Sequence, residues 1–203
     1  VIFYRLQIII FLMAFSGCGN TDANSSASEL DGAWSNGCYV GTDPFGVPNS
    51  VSGRIFYEIS SGGWINTIRS YDDTTCSNEA LVIERRMDAL VAGLVSEPTG
   101  ARELDIATSS ALVTVKSDRY VTLYNQTNAF CGGGLEKDVP KTLTQAGCVN
   151  DESIRKWFEK IFTIYKLDGS KLYLGKCDSA DQDCSSNSKR AKKISEDPVF
   201  TRG

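Results

Sequence analysis

The sequence predicts an all-β domain of about eight short antiparallel strands, arranged as a sandwich or a closed barrel. Three observations carry this. Short runs rich in Val, Ile, Tyr, Phe and Trp recur along the chain between polar breaks. Two of the breaks, Ser61-Gly62-Gly63 and Asp168-Gly169-Ser170, have hairpin-turn chemistry. Six of the seven cysteines are spread over the same stretch of chain, as in a small exported domain held by disulfides.

The elements follow in order. Ala33–Val40 reads as a first strand broken at Gly37. Val51–Ser60 and Trp64–Tyr71 flank the first hairpin turn. Ala80–Arg86 and Leu90–Ser96 read as strands, although Glu79–Val95 also tolerates a helical pattern. Glu103–Ala107 and Ala111–Ser117 read as two strands about a short turn. Phe162–Leu167 and Lys171–Gly175 surround the second hairpin turn, and Val199–Arg202 closes the sheet. Two helices interrupt. In Asn150–Phe162 the residues Ile154, Trp157, Phe158 and Ile161 recur at helical spacing behind an acidic first turn. Ser117–Gln126 is the weaker candidate. The glycines after Cys131 form a loop without the Lys-Ser/Thr of a phosphate-binding loop.

At the other end of the chain, Arg5 precedes an apolar stretch, Ile8–Phe15, far short of the roughly 20 residues that span a bilayer. Ser16, Gly17 and Cys18 follow. This order resembles the lipobox of bacterial lipoproteins. The resemblance implies a signal peptide over residues 1–17, a diacylglycerol thioether on Cys18 and a membrane partner reached through lipid. Gly19 in place of Asp favours the outer membrane. Residues 18–30 are small and polar and read as a tether, with the folded domain over 31–203.

With Cys18 set aside, Cys38, Cys76, Cys131, Cys148, Cys177 and Cys184 remain, an even number that reads as disulfides. Six cysteines allow 15 pairings. Pairing in sequence order is favoured, because neighbouring hairpins bring such residues together without long crossovers.

The chain of 203 residues carries 21 basic and 25 acidic residues, a formal charge of −4, and no histidine. This argues against nucleic acid as a partner and removes most catalytic triads and zinc hydrolases. No metal or cofactor site is expected. Asp72 and Asp73 read as a turn toward Cys76, and Asp178, Asp181 and Asp183 as a solvated loop without the ligand pattern of a calcium loop. Ser153/Lys156 and Ser186/Lys189 have Ser-x-x-Lys spacing but lack the Lys-Thr-Gly partner of penicillin-recognising enzymes. The expectation is a non-enzyme.

Gly32-Ala33-Trp34 at the first strand is similar to the opening of lipocalin-like barrels. Trp34 with Cys38, Tyr71-Asp72 with Cys76, Tyr124-Asn125 with Cys131-Gly132 and the run around Asp168-Gly169-Ser170 resemble a group of uncharacterised bacterial lipoproteins with such barrels. The resemblance implies an up-and-down barrel of about eight strands with one or two short helices. It also implies that Trp34 closes one end and Arg202 lies across it. Phe56, Trp64, Tyr71, Tyr165 and Tyr173 fall on the strands and would line a pocket if they face inward. Two functions follow: a lipid-anchored barrel holding a small apolar ligand, or an interaction lipoprotein whose filled barrel meets envelope partners.

Overall fold

The computed structural model describes residues 29–41, 51–61, 63–177 and 180–203. The expected signal peptide, Cys18, most of the tether and Asp178 lie outside the described residues. The described strands are β1 (Gly32–Ser35), β2 (Tyr39–Val40), β3 (Ser52–Ser60), β4 (Gly63–Tyr71), β5 (Glu79–Leu94), β6 (Ala101–Val115), β7 (Lys141–Leu143), β8 (Ile161–Asp168), β9 (Lys171–Leu174) and β10 (Phe200–Arg202). Around the barrel they run β1-β3-β4-β5-β6-β8-β9-β10, and β1 pairs with both β3 and β10, so the antiparallel sheet closes. This is the up-and-down, eight-stranded barrel that the sequence leads one to expect.

Alternation fixes which side chains face in. Ile55, Tyr57 and Ile59 on β3 meet Ile68, Asn66 and Trp64 on β4, and these meet Ile83, Arg85 and Met87 on β5. Each of these side chains is buried.

Strands β5 and β6 are longer than expected. Each of the two predicted strand pairs is one continuous strand. The three polar residues read as a turn, Thr108-Ser109-Ser110, instead form a bulge: Arg86 pairs with Ser110 and Met87 with Thr108. Ser109 is the extra residue, and its hydroxyl donates to the Arg86 carbonyl at 3.2 Å. A single insertion flips the pleat. The inward series Leu104, Ile106, Thr108 therefore continues as Ala111, Val113, Val115, all of them buried.

The first strand is indeed broken at Asn36-Gly37-Cys38, between β1 and β2. Asn36 bridges the gap by accepting the Ile55 N–H at 2.6 Å. Opposite Tyr39, the close approach demands glycine: a Cβ on Gly53 would enter the Tyr39 ring.

The predicted weaker helix is the longer one, α1 (Asp118–Gln126). The helix expected over Asn150–Phe162 shrinks to one turn, Glu152–Arg155, continued by a 3₁₀ turn at Lys156–Phe158. The chain then turns extended at Glu159 to enter β8, and the sheet takes Ile161 and Phe162.

Closure at the tether end is made by side chains. Trp34 is buried under the Arg202 guanidinium, 4.5 Å from its ring centre, as the lipocalin resemblance implies. Its indole N–H donates to the Leu30 carbonyl at 2.7 Å. Glu29 and Leu30, in the segment assigned to the tether, belong to this plug. Leu30 is fully buried, and Arg202 donates to the Glu29 carbonyl at 2.6 Å.

The outer face of β8 is covered by the C-terminal crossing. Ile164 packs with Ala101, Cys184 and Ala191. Arg190 is buried there and donates to the Thr163 carbonyl at 2.8 Å and to Asp105 at 2.7 Å. The disulfides are Cys38–Cys76, Cys131–Cys148 and Cys177–Cys184, the sequence-order pairing.

Two outcomes follow for stability. Trp34→Ala should cost roughly 3–5 kcal/mol in denaturant unfolding as a large core truncation. Arg202→Ala should cost about 0.5–2 kcal/mol through the cation–π contact, and less once Trp34 is gone, when only its bond to the Glu29 carbonyl remains to be lost. Additive losses in the double variant would mean the two side chains do not act as a pair. Alkylation of the unreduced, denatured protein should label none of the six paired cysteines, and peptide mapping should join Cys38 to Cys76.

Candidate functional site

The five aromatic residues proposed from sequence do not converge. Trp64 and Tyr165 face inward and share one core with Trp34, Tyr57, Met87, Leu104, Leu172 and Phe200. Tyr71 is buried at the far end of β4, next to the bulge at Ser70/Tyr71. Phe56 alternates with inward Ile55 and Tyr57, so it lies on the outer face, where the Arg69 guanidinium sits 5.5 Å from its ring centre. Tyr173 likewise falls between inward Leu172 and Leu174.

Large side chains occupy the interior. Phe200 meets Tyr57 edge-on at 5.0 Å, and Tyr57 meets Trp64 edge-on at 6.4 Å. The Tyr165 hydroxyl donates to Glu29 at 2.6 Å. Burial, and then that carboxylate, push the Tyr165 phenol far above its ordinary range. A polar rung crosses the middle. Arg85 donates twice to the Asn66 side-chain oxygen, at 3.0 and 2.6 Å, and Asn66 donates to the Phe56 carbonyl at 3.2 Å. The Asn66 side chain is fully buried, so the rung is part of the core.

Beyond this rung the wall changes. Strand β8 pairs with β6 only as far as Ile106; higher up, β7 takes its place against Ala111–Val113. The inner face there, Ile68, Ile83, Val113 and Val115, is covered by the segment between β6 and β8. That segment forms a helical cap. Tyr120 and Tyr124 lie on one face of α1 at i, i+4 spacing, with ring centres 5.8 Å apart. Tyr124 meets Phe130 edge-on at 5.1 Å, and Phe130 meets Trp157 at 6.2 Å. An aromatic row therefore runs from the barrel to the surface.

Among the described residues, the cap carries the densest run of left-handed backbone. Asn128, Phe130 and Cys131 have φ of 51°, 52° and 67°, and Gly132, Gly133 and Gly134 continue at 96°, 66° and 69°. For side-chain-bearing residues this left-handed region costs about 1–2 kcal/mol each. It persists where surrounding bonds over-determine it, and here they do. Cys131 is tied to Cys148. Lys141 donates to the carbonyls of Cys131 and Gly133. Asn125 holds Leu135 by both its N–H and its carbonyl, at 2.8 and 2.9 Å. Asp151 accepts the Cys131 N–H at 3.2 Å while capping the helical turn through the Ile154 N–H, also at 3.2 Å. Partial burial opposes its charge, but bonds from Ser153, Ile154 and Cys131 prevail and lower its pKa.

Between this turn and the helical turn lies an open cleft of about 690 Å³. Thr127, Asn128, Phe130, Asp151, Glu152 and Trp157 are among its walls, and the charged side chains lining it, Asp151 and Glu152, are both acids. Sequence reading missed this site. Its signals were the Cys131-Gly132-Gly133-Gly134 loop and the helical spacing of Ile154 and Trp157. Nothing in either pattern says that the two segments meet. A shallower depression of about 350 Å³ borders Gly32, Glu58 and Ile65 on the outside of the tether end.

Several of the other candidates have structural partners. Asp73 accepts the N–H groups of Thr75, Ser77 and Asn78 in the turn before Cys76. The Thr75 hydroxyl and these N–H groups hold its carboxyl at about 2. Asp183 pairs with Lys189 at 2.9 Å, and Glu152 with Lys156 at 3.3 Å, so carboxylates engage both Ser-x-x-Lys ammonium groups. Among the described residues no three His, Cys, Asp or Glu side chains gather to hold a metal ion. The chain matches no protein-family model and no curated protein.

The two turn carboxylates can be tested directly. Asp151→Ala should cost about 0.5–2 kcal/mol and speed amide exchange at Cys131 and Ile154, and Asp151→Asn should recover the cap. Because the Asp73 pKa is lowered on folding, its contribution is complete above about pH 4 and lost as pH falls toward 2. Acid titration followed by carboxyl NMR should place its midpoint near 2, and Asp73→Asn should make unfolding less pH-dependent in that window.

Proposed function

We propose that this chain is a lipid-anchored protein of the cell envelope that works by binding. The barrel is a filled scaffold, and recognition takes place at the helical cap. One observation carries this reading: buried side chains, mostly aromatic and aliphatic with the Asn66–Arg85 rung among them, occupy the inward positions of the barrel, whereas a cleft of about 690 Å³ opens beside the disulfide-pinned turn. Of the two functions drawn from the sequence, the packing favours the filled barrel that meets its partners through loops.

Support for the anchor comes from the apolar stretch ending in Ser16-Gly17-Cys18 and from Gly19, which favours the outer membrane. Three disulfides in a domain of this size fit an oxidising compartment. Binding without turnover is supported by the absence of histidine and by the engagement of Lys156 and Lys189 with carboxylates.

Mass spectrometry of membrane-extracted protein should find an acyl mass on Cys18, and Cys18→Ser should leave the protein soluble or unprocessed. A wild-type Cys18 without acyl mass defeats the anchor. The soluble Cys18→Ser protein should show no saturable uptake of a fluorescent fatty acid. Uptake that Trp64→Ala or Tyr165→Ala abolishes would restore the barrel interior as the ligand site.

A further inference from the structure

We propose that the cap cleft binds a small organic cation, an alkylammonium group carried on an apolar body. This rests on the reading of the cleft as the recognition site and names the chemistry that fits it. Three independent features converge there. First, the charged side chains that line the cleft are the carboxylates Asp151 and Glu152, so its lining charge is negative, while the ammonium groups beside it, Lys156 and Lys141, are already bonded to Glu152 and to the Cys131 carbonyl. Second, the half-buried Trp157 borders it, with Phe130 behind at 6.2 Å, and indole is the best ring for a cation placed over its face. Third, the volume of about 690 Å³ lies in the range of small-molecule sites, far larger than a bare ion needs.

The fixed parts of the cleft suit this ligand. Asp151 spends its oxygens on the Ser153 hydroxyl and on the N–H groups of Ile154 and Cys131, so it stays charged and immobile. Glu152 is exposed and already accepts one ammonium, that of Lys156 at 3.3 Å. Exposed pairs of this kind are weak, and a better-placed cation can take the carboxylate over. An anion would meet two carboxylates and, among the described residues, no basic side chain on the cleft wall. A neutral apolar molecule would gain the indole surface but nothing from the charge.

Two sources of the ligand chemistry are separable: a free amine and the zwitterionic headgroup of a lipid. The negative field favours the free cation, because a headgroup brings its phosphate with it. The full-length protein, with Cys18→Ser for solubility, is titrated by calorimetry with benzyltrimethylammonium and choline. The controls are phosphocholine and 3,3-dimethylbutanol, the uncharged carbon isostere of choline. The expected result is saturable binding of the two cations that weakens as salt rises. Phosphocholine and the alcohol should bind at least about tenfold more weakly. Trp157→Leu and Glu152→Gln should each lower cation affinity about tenfold or more, with the circular dichroism spectrum and unfolding midpoint retained. Equal binding of the alcohol, unchanged affinity in both variants, or no binding of either cation overturns the proposal. A neutral or anionic ligand whose binding Trp157→Leu abolishes would leave the cleft as the recognition site and reject only its cation preference. Fatty-acid uptake lost in Trp64→Ala would instead strike the reading on which the proposal rests.

Discussion

Closure of the barrel depends on a single short strand. Strand β1 is the seam: Trp34 has Tyr57 as its backbone partner on one side and Arg202 on the other. An open sheet would present two unpaired edges. The same residue supplies the plug, since its ring fills the barrel end, its N–H holds Leu30 and its face carries the Arg202 guanidinium. Chain entry, strand pairing and end closure therefore meet in one side chain. Its polar atom is satisfied, so the large buried ring carries no desolvation penalty.

From that seam the structure divides into two regimes. Near the tether end, strands surround the core on all sides and side chains of opposite walls touch. Above the Asn66–Arg85 rung, the helical cap packs Tyr120, Tyr124, Phe130, Ile154 and Phe158 against the inner face of the sheet. A sheet face as apolar as Ile68, Ile83 and Val113 must be covered. The cap meets that need with an irregular backbone, and irregular backbone leaves crevices. The cleft is thus a by-product of covering a sheet with short helices, held open by the bonds that fix the left-handed turn.

Much of this fold is legible in the sequence because strand alternation and turn chemistry are local. The two hairpins, the break at Gly37 and the pairing of neighbouring cysteines could all be read, whereas the Trp34–Arg202 contact came only from the lipocalin resemblance. The failures have a common cause. At Ser109 a bulge shifts the alternation by one residue, and a shifted pattern looks like two strands separated by a turn. At Ile161 and Phe162 the helical spacing is real, but pairing with β6 overrides it. Phe56 and Tyr173 are aromatic on outward positions, where composition alone suggests a lining role. The cleft was invisible for a different reason. It is defined by the meeting of residues 127–132 with residues 147–157, and nothing local encodes that meeting.

The placement of the disulfides has a mechanical consequence. Each joins segments that are close in sequence, and none crosses the β1–β10 seam. A pull on the chain from its N-terminal side loads Glu29 and Leu30 first and then β1, which hydrogen bonds, the buried Trp34 ring and its contact with Arg202 retain. Peeling proceeds through Ser35 and stops at Cys38, where the bond to Cys76 passes the load to the β4–β5 turn. The first strand then behaves as a short extensible leash in series with a covalent stop. A tug can open one end of the barrel and release its plug while the cap, tied by its own disulfide, keeps its shape.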